Sequence, residues 1–159
     1  MTGIVSDATA LIILAKLERL DLLKSLFSSV VIPSLVYAEI NAKDDYDNTV
    51  WEDSFFCIKD GTTDELCISL RAILDPGESE AVALAAAFNL PLLIDEKKGR
   101  NVARSLGIQV IGIVGILLAL KQKGHLDKSA ILSLLDDALR IGFRLSVPLY
   151  TDFCKRLED

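Results

Sequence analysis

Two adjacent carboxylates, Asp95 and Glu96, follow a short apolar run at residues 90–94 and precede a cluster of cations. An apolar run of this length between helical patterns is typical of a buried parallel strand. The two acids would then lie at the carboxyl end of that strand, the edge where open α/β sheets bind ligands. Carboxylate oxygens are the ligands that hard divalent cations prefer. A metal site here requires further acids from other elements.

Asp7 is a second acid at a strand end, because it follows the β-branched run of residues 3–6. It shares an edge with Asp95 if the two strands run parallel. Glu39 follows Val36 by three residues, a spacing that puts it on the apolar side of its predicted helix. A carboxylate that faces inward is costly unless it is paired or bound to a cation. Glu39 is therefore a third candidate ligand.

Glu78 lies in the first turn of an alanine-rich helix that runs to Phe88 and has Asp75 as its predicted N-cap. With right-handed crossovers, this helix lies on the same side of the sheet as the other acids. Such a cluster repels itself, and a divalent cation relieves the repulsion. Each acid also has an ordinary interpretation, as a helix cap or a solvated side chain. The prediction of a metal site therefore depends on their convergence.

The elements that must position these acids alternate between strands and helices. Strands are predicted at residues 3–6, 30–32, 55–58, 90–94 and 108–111, and helices at 8–17, 21–27, 34–41, 63–74, 76–88, 97–106, 113–123, 128–140 and after Pro148. Residues 43–53 have no clear periodicity and are predicted to be a loop or a short helix. This alternation predicts an α/β fold, a three-layer α/β/α sandwich with a mainly parallel central sheet. The length of 159 residues fits one domain, residues 1–159.

Composition excludes several classes of protein. Hydrophobic residues make up 51% and charged residues 25%, which argues against disorder, and the net charge of -6 argues against a protein that coats nucleic acid. The longest apolar stretch, residues 108–120, is too short to span a bilayer, and the N-terminus has no signal-peptide pattern. The sequence alone thus predicts a cytoplasmic protein without a membrane partner.

Four segments, in order along the chain, resemble the motifs of PIN-domain nucleases. The segments are residues 4–12 with Asp7 and Thr9, 31–40 with Glu39, 77–85 with Glu78 and Glu80, and 92–96 with Asp95 and Glu96. The resemblance extends from residue 4 to about residue 123 and is strongest to a prokaryotic PIN-like branch. It implies a PIN-like fold and a metal-dependent nuclease that cuts RNA with Mg²⁺ or Mn²⁺.

Carried over by position, the resemblance implies four catalytic metal ligands: Asp7, Glu39, Glu78 and Asp95. Thr9 would be a supporting hydroxyl. The third acid of the family is usually aspartate, and here Glu78 and Glu80 compete for its place, as Asp95 and Glu96 do for the fourth. Side chains two residues apart on a helix point about 200° apart, so only one of Glu78 and Glu80 can face the cluster. We predict that it is Glu78.

A run of cations follows the fourth acid directly and is a candidate for binding the nucleic-acid backbone. Its members are Lys97, Lys98, Arg100 and Arg104. The alternative interpretation of these residues is a solvated helix face.

Helices predicted at residues 21–27 and 113–123 are apolar on nearly every side, which predicts deep burial or contact with another chain. From this pattern and the resemblance we expect a homodimer and a small antitoxin whose basic segment covers the acidic edge. The alternative function is a catalytically silent PIN-like module that binds RNA or a protein. A phospho-acceptor protein with Asp7 or Asp95 as nucleophile has the least support, because no second acid and no matched lysine accompany Asp7.

Overall fold

The computed structural model describes residues 1–62 and 64–158, and its centre is a five-stranded parallel sheet in the order β3-β2-β1-β4-β5. The strands are β1 (Ile4–Ser6), β2 (Val30–Pro33), β3 (Phe56–Lys59), β4 (Leu92–Leu93) and β5 (Val110–Ile111). Every neighbouring pair of these strands is parallel. The predicted α/β class with a mainly parallel sheet is confirmed.

Helices join and cover these strands. They are α1 (Ala8–Lys16), α2 (Asp21–Lys24), α3 (Ser34–Asn41), α4 (Glu65–Leu70), α5 (Pro76–Phe88), α6 (Lys97–Ser105), α7 (Ile113–Gln122), α8 (Lys128–Arg140) and α9 (Val147–Glu158). A 3₁₀ helix (Asn48–Glu52) occupies part of the segment that was predicted to be a loop or a short helix, and the Asp47 side chain caps it. No helix among the described residues is long and apolar enough to cross a membrane.

Alternate residues of the strands separate the core into two layers. Ile4 and Val30 pack with α1, α7, α8 and α9 on one face, whereas Val5 and Val31 pack with α4, α5 and α6 on the other. Both faces of a parallel sheet are covered in this way, which accounts for the continuous apolar runs in its strands. The predicted three-layer α/β/α sandwich is thus confirmed.

Several predicted boundaries differ from the structure. The strand predicted at residues 90–94 is reduced to β4, because Pro91 has no N–H for the ladder. Helix α9 begins at Val147, before Pro148, since proline is tolerated in the first helical turn. The helix predicted at residues 63–74 is the shorter α4, and Thr63 lies outside the described residues.

The chain leaves β1 in two directions. It passes through β2 to the edge strand β3 on one side, and it returns through β4 to β5 on the other. The point between β1 and β4 is therefore the topological switch point, and open α/β sheets bind ligands in the crevice at its carboxyl edge. Asp7 follows β1, and its backbone N–H donates to the Leu93 carbonyl of β4 at 2.9 Å.

Helix α5 lies on the opposite face of the sheet from α1, so the prediction that Glu78 approaches from the same side as the other acids is wrong. The N-terminal turn of α5 nevertheless lies at the carboxyl edge, because α5 leads into β4 and so runs antiparallel to the strands β1 and β2 that it packs against. The acids thus approach the switch point from both layers.

Candidate active site

Asp7 is the most deeply buried acid at the switch point, with 8% of its surface exposed. It occupies the N-cap position of α1, but its side chain makes no capping hydrogen bond. The pKa of Asp7 is raised to about 7, chiefly by burial and in smaller part by the charges of Asp75, Glu39 and Asp95. The Ala8 backbone N–H offsets only part of this effect. Asp7 is therefore a carboxylate without a compensating positive charge.

Glu78 is also buried, in the first turn of α5, near enough to Asp7 for the Asp7 charge to act on it. Its pKa is raised, first by burial and then by hydrogen bonding with Asp75 and Glu96. Within residues 1–62 and 64–158 its Oε2 atom, taken as ionised, has no hydrogen-bond partner. A Cβ added to Gly99 would lie 2.8 Å from this atom, so α6 approaches Glu78 closely only because residue 99 is glycine.

Asp95 follows β4 and is held at the start of α7. Its Oδ1 accepts a hydrogen bond from the Ile113 backbone N–H at 3.0 Å, and its buried Oδ2 has no partner among the described residues. Burial raises the pKa of Asp95, while Ile113 and the guanidinium of Arg100 act in the opposite direction. A Cβ at Gly112 would lie 2.5 Å from Oδ1, so this glycine makes room for the carboxylate.

Glu39 lies on the surface of α3, so the prediction that it faces the apolar side of its helix is wrong. The buried positions of α3 are Val36 and Ile40. Three residues turn a helix by about 300°, which leaves Glu39 roughly 60° from Val36, on the flank of the buried stripe. Its charge still raises the pKa of Asp7, which places it at the rim of the cluster.

Glu80 points away from this cluster. Its Oε1 accepts a hydrogen bond from the Leu35 backbone N–H at 3.2 Å, and a Cβ at Gly61 would lie 2.5 Å from its Oε2. Glu80 thus fastens the start of α3 to α5. Thr9 is exposed in the first turn of α1, two residues after Asp7.

Glu96 and Asp75 are the caps among these acids. The Glu96 side chain accepts from the backbone N–H groups of Lys98 and Gly99, at the start of α6. The Asp75 side chain accepts from the Glu78 N–H at 2.7 Å. Sequence reasoning assigned Asp75 only as a cap and missed its place in the cluster, although it precedes Glu78 by three residues and raises the pKa of Asp7.

The four predicted cations separate into two groups. Lys97 and Lys98 are exposed at the start of α6, whereas Arg100 is half-buried beside Asp95. Arg100 and Arg104 line one cleft together with Arg144 and Arg156. No sequence pattern indicated the last two arginines, because they come from the C-terminal segment, beyond the region of the resemblance.

Residues 3–159 match the sequence model of the DUF3368 family, which is described as a PIN domain. The chain belongs to the PIN-domain family. No curated protein matches this PIN domain. Among solved structures, it is similar to a PilT N-terminus domain protein from the hyperthermophilic archaeon Sulfolobus solfataricus. That likeness has 20% sequence identity and a TM-score of 0.47, and it covers 92% of this chain and all of the other.

PIN domains are usually nucleases, and they generally use divalent metals such as Mg²⁺. In this PIN domain the chemistry of the acids suits such an ion, because the donors are all carboxylate oxygens and two buried oxygens lack partners. No three acid, histidine or cysteine side chains of the described part of the chain surround one point closely enough to hold an ion. That arrangement is compatible with Mg²⁺, which keeps several waters and binds through one or two carboxylates and substrate phosphates.

Proposed function

We propose that this PIN domain is a metal-dependent endoribonuclease that hydrolyses RNA phosphodiester bonds at the switch point. The observation that carries the proposal is that two buried acids, Asp7 and Glu78, have no positively charged partner among the described residues and have raised pKa values. A purely structural carboxylate is normally paired or hydrogen-bonded when it is buried. A divalent cation supplies the missing charge.

One or two of the acids with unpaired or exposed oxygens would bind the ion directly and the others through its water molecules. These acids are Asp7, Glu39, Glu78 and Asp95. When bound, Mg²⁺ or Mn²⁺ would polarise the phosphodiester and lower the pKa of a water molecule. Asp75 and Glu96 are bound to helix N-termini and would contribute negative charge without leaving their backbone partners. The Ile113 N–H fixes the direction of the Asp95 carboxylate and leaves its second oxygen for the ion.

Without a cation, the raised pKa values mean that Asp7 and Glu78 retain protons near neutral pH. Metal binding would release these protons, so the apparent affinity for the metal should increase with pH. The half-buried Arg100, beside Asp95, offers a positive charge toward the side of the site where a phosphate would lie.

The direct test is cleavage of a labelled single-stranded RNA by metal-free protein to which Mn²⁺ is added back. Asp7→Asn should abolish cleavage and leave the circular-dichroism spectrum unchanged, whereas Asp44→Asn, at an exposed position between α3 and the 3₁₀ helix, should cut like the wild type. Cleavage by a purified Asp7→Asn variant would refute the proposal.

The second candidate, a silent module that binds RNA or a protein, is favoured by the lack of three pre-arranged ligands in the described residues. A thermal shift separates the two functions. An ion that binds only the folded protein raises its melting temperature, so a nuclease site predicts stabilisation by Mn²⁺ that depends on Asp7. A silent module predicts no such stabilisation.

We further propose that the nuclease is the toxin of a toxin–antitoxin pair and forms a homodimer. The support is the exposed negative charge of Glu39 and Asp75, which suits an arginine from a basic antitoxin segment. Helices α8 and α9 pack against α7, so only part of this apolar helix is left for a second chain. Co-purification of the native complex tests the antitoxin.

A further inference from the structure

We propose that a cleft beside the acidic cluster binds a phosphate of the RNA backbone at a distance from the phosphate that is cut. The inference rests on the proposed nuclease function and deepens it. The cleft lies between α6, the β5–α7 junction and α9, and its volume is about 350 Å³. Four arginines line it, and we call it the arginine cleft: Arg100, Arg104, Arg144 and Arg156.

The arginine cleft is continuous with the acidic cluster. Asp95 and Gly112 line it, and Asp95 is also one of the acids whose charge acts on Asp7. A Cβ at Gly112 would touch both sides of this junction, since it would lie 2.5 Å from Asp95 Oδ1 and 3.6 Å from Arg100 Nη1. A strand with one phosphate at the acids would therefore extend directly into the cleft.

Positive charge exceeds negative charge within the cleft. Its four arginines face two carboxylates, Asp95 and Asp152, and Asp152 is already paired with Arg156 at 3.0 Å. In the ranges that the structure describes, Arg104 and Arg144 form no ion pair. The chain as a whole has a net charge of -6, so RNA needs a local positive surface to approach it.

Arg100 indicates that the cleft is built for an anion. Its Nε atom is buried and has no hydrogen-bond partner among the described residues. A buried charged donor without an acceptor is destabilising. An incoming phosphate would meet the outer nitrogens of this guanidinium group rather than the shielded Nε, and the planar group suits phosphate geometry.

The apolar wall of the cleft favours a nucleotide over a bare anion. Its lining includes the apolar side chains of Val110, Ile111 and Leu118. Leu149 also lines it and has 57% of its surface exposed. Such side chains can contact a ribose or the face of a base while the arginines hold the adjoining phosphate.

The experiment measures binding of a fluorescein-labelled, eight-nucleotide oligouridine RNA to the full chain in EDTA, at several NaCl concentrations. Arg144→Gln and Arg156→Gln should each weaken binding about threefold or more at low salt, and each should reduce the slope of log K against log[salt] by about 0.7. Arg140→Gln is the matched control, because Arg140 is an exposed arginine that pairs with Asp137 on α8 outside the cleft. It changes the net charge equally and should bind RNA like the wild type.

The outcomes separate this inference from the nuclease proposal. If the wild type cleaves RNA and the cleft variants bind like the control, the arginine cleft is refuted and the nuclease stands. If binding depends on Arg144 and Arg156 but Mn²⁺ yields no cleavage, the cleft stands and the nuclease proposal fails. If an eight-residue polyglutamate peptide binds with the same arginine dependence and the RNA does not, the cleft serves an acidic protein and the inference is overturned.

Discussion

Replacement of Asp7 by asparagine is expected to stabilise the metal-free protein at pH 8.5 and to change its stability little at pH 4.5. The physical reason is the cost of a buried negative charge. Burial raises the pKa of Asp7 from 3.8 to about 7, so the folded protein holds this proton more tightly than the unfolded chain does. The free energy of unfolding of the wild type therefore falls as pH rises through this window, and the loss is complete above the folded pKa.

The size of the effect follows from the same shift. Each pKa unit corresponds to about 1.4 kcal/mol, which gives an upper limit of about 4 kcal/mol above pH 7 and about 1 kcal/mol at pH 4.5. Little solvent screening reduces this figure, because only 8% of Asp7 is exposed. For a chain of this length, 4 kcal/mol corresponds to a rise of roughly 10 °C in melting temperature. Asparagine has nearly the same shape and does not carry the charge.

The assay is urea and thermal unfolding, followed by circular dichroism from pH 4.5 to 8.5 in EDTA. Asp44→Asn is the control, because it removes one carboxylate from an exposed position. A second series contains Mn²⁺, which at 100 times its Kd should stabilise the wild type by about 2.7 kcal/mol and leave Asp7→Asn unchanged. The reasoning is refuted if Asp7→Asn is no more stable than the wild type at pH 8.5, or if the difference does not vary with pH.

Three further predictions test other parts of the molecule. Glu80→Ala should lower the free energy of unfolding in urea by about 1–2 kcal/mol, because the Leu35 N–H loses its acceptor; an unchanged midpoint would contradict this role. Gly112→Ala should abolish stabilisation by Mn²⁺, since its Cβ would lie 2.5 Å from Asp95 Oδ1, whereas Gly77→Ala, with ordinary 3.6 Å contacts, should keep it. Light scattering at micromolar concentration should give twice the chain mass of 17.4 kDa, and a monomer would remove the homodimer proposal.

The fold was predictable because its signals are local. Short apolar runs between helical patterns located all five strands, and N-caps such as Asp75 and Asp127 located the starts of α5 and α8. The errors arose where a residue has two permitted roles. Proline at position 148 was interpreted as a boundary, although the first turn of a helix accepts it, and the predicted helix at residues 21–27 is limited to Asp21–Lys24.

The acidic cluster was only partly predictable, because its geometry depends on packing between elements. The position of Asp7 and Asp95 at strand ends follows from the chain order once the sheet is parallel. The face that Glu39 presents depends on how α3 rests between α1 and α5, which no local pattern specifies. The contribution of Arg156 depends on the return of α9 to the edge of the sheet, and that of Arg144 on the segment that joins α8 to α9.

From the sequence, each acid could either cap a helix or bind a metal ion. In the fold, the hydrogen bonds of the individual carboxylate oxygens distinguish these two roles. Helices that follow parallel strands begin at the carboxyl edge, so their free N–H groups collect where the acids collect. The side chains of Asp75 and Glu96 accept hydrogen bonds from these N–H groups. Asp95 accepts one from Ile113 with its Oδ1 atom, and its Oδ2 atom has no partner among the described residues. Asp7 makes no capping bond at all. The helix N-termini thus offset part of the negative charge of these carboxylates, and the oxygens that they leave unsatisfied are the candidate ligands for a cation.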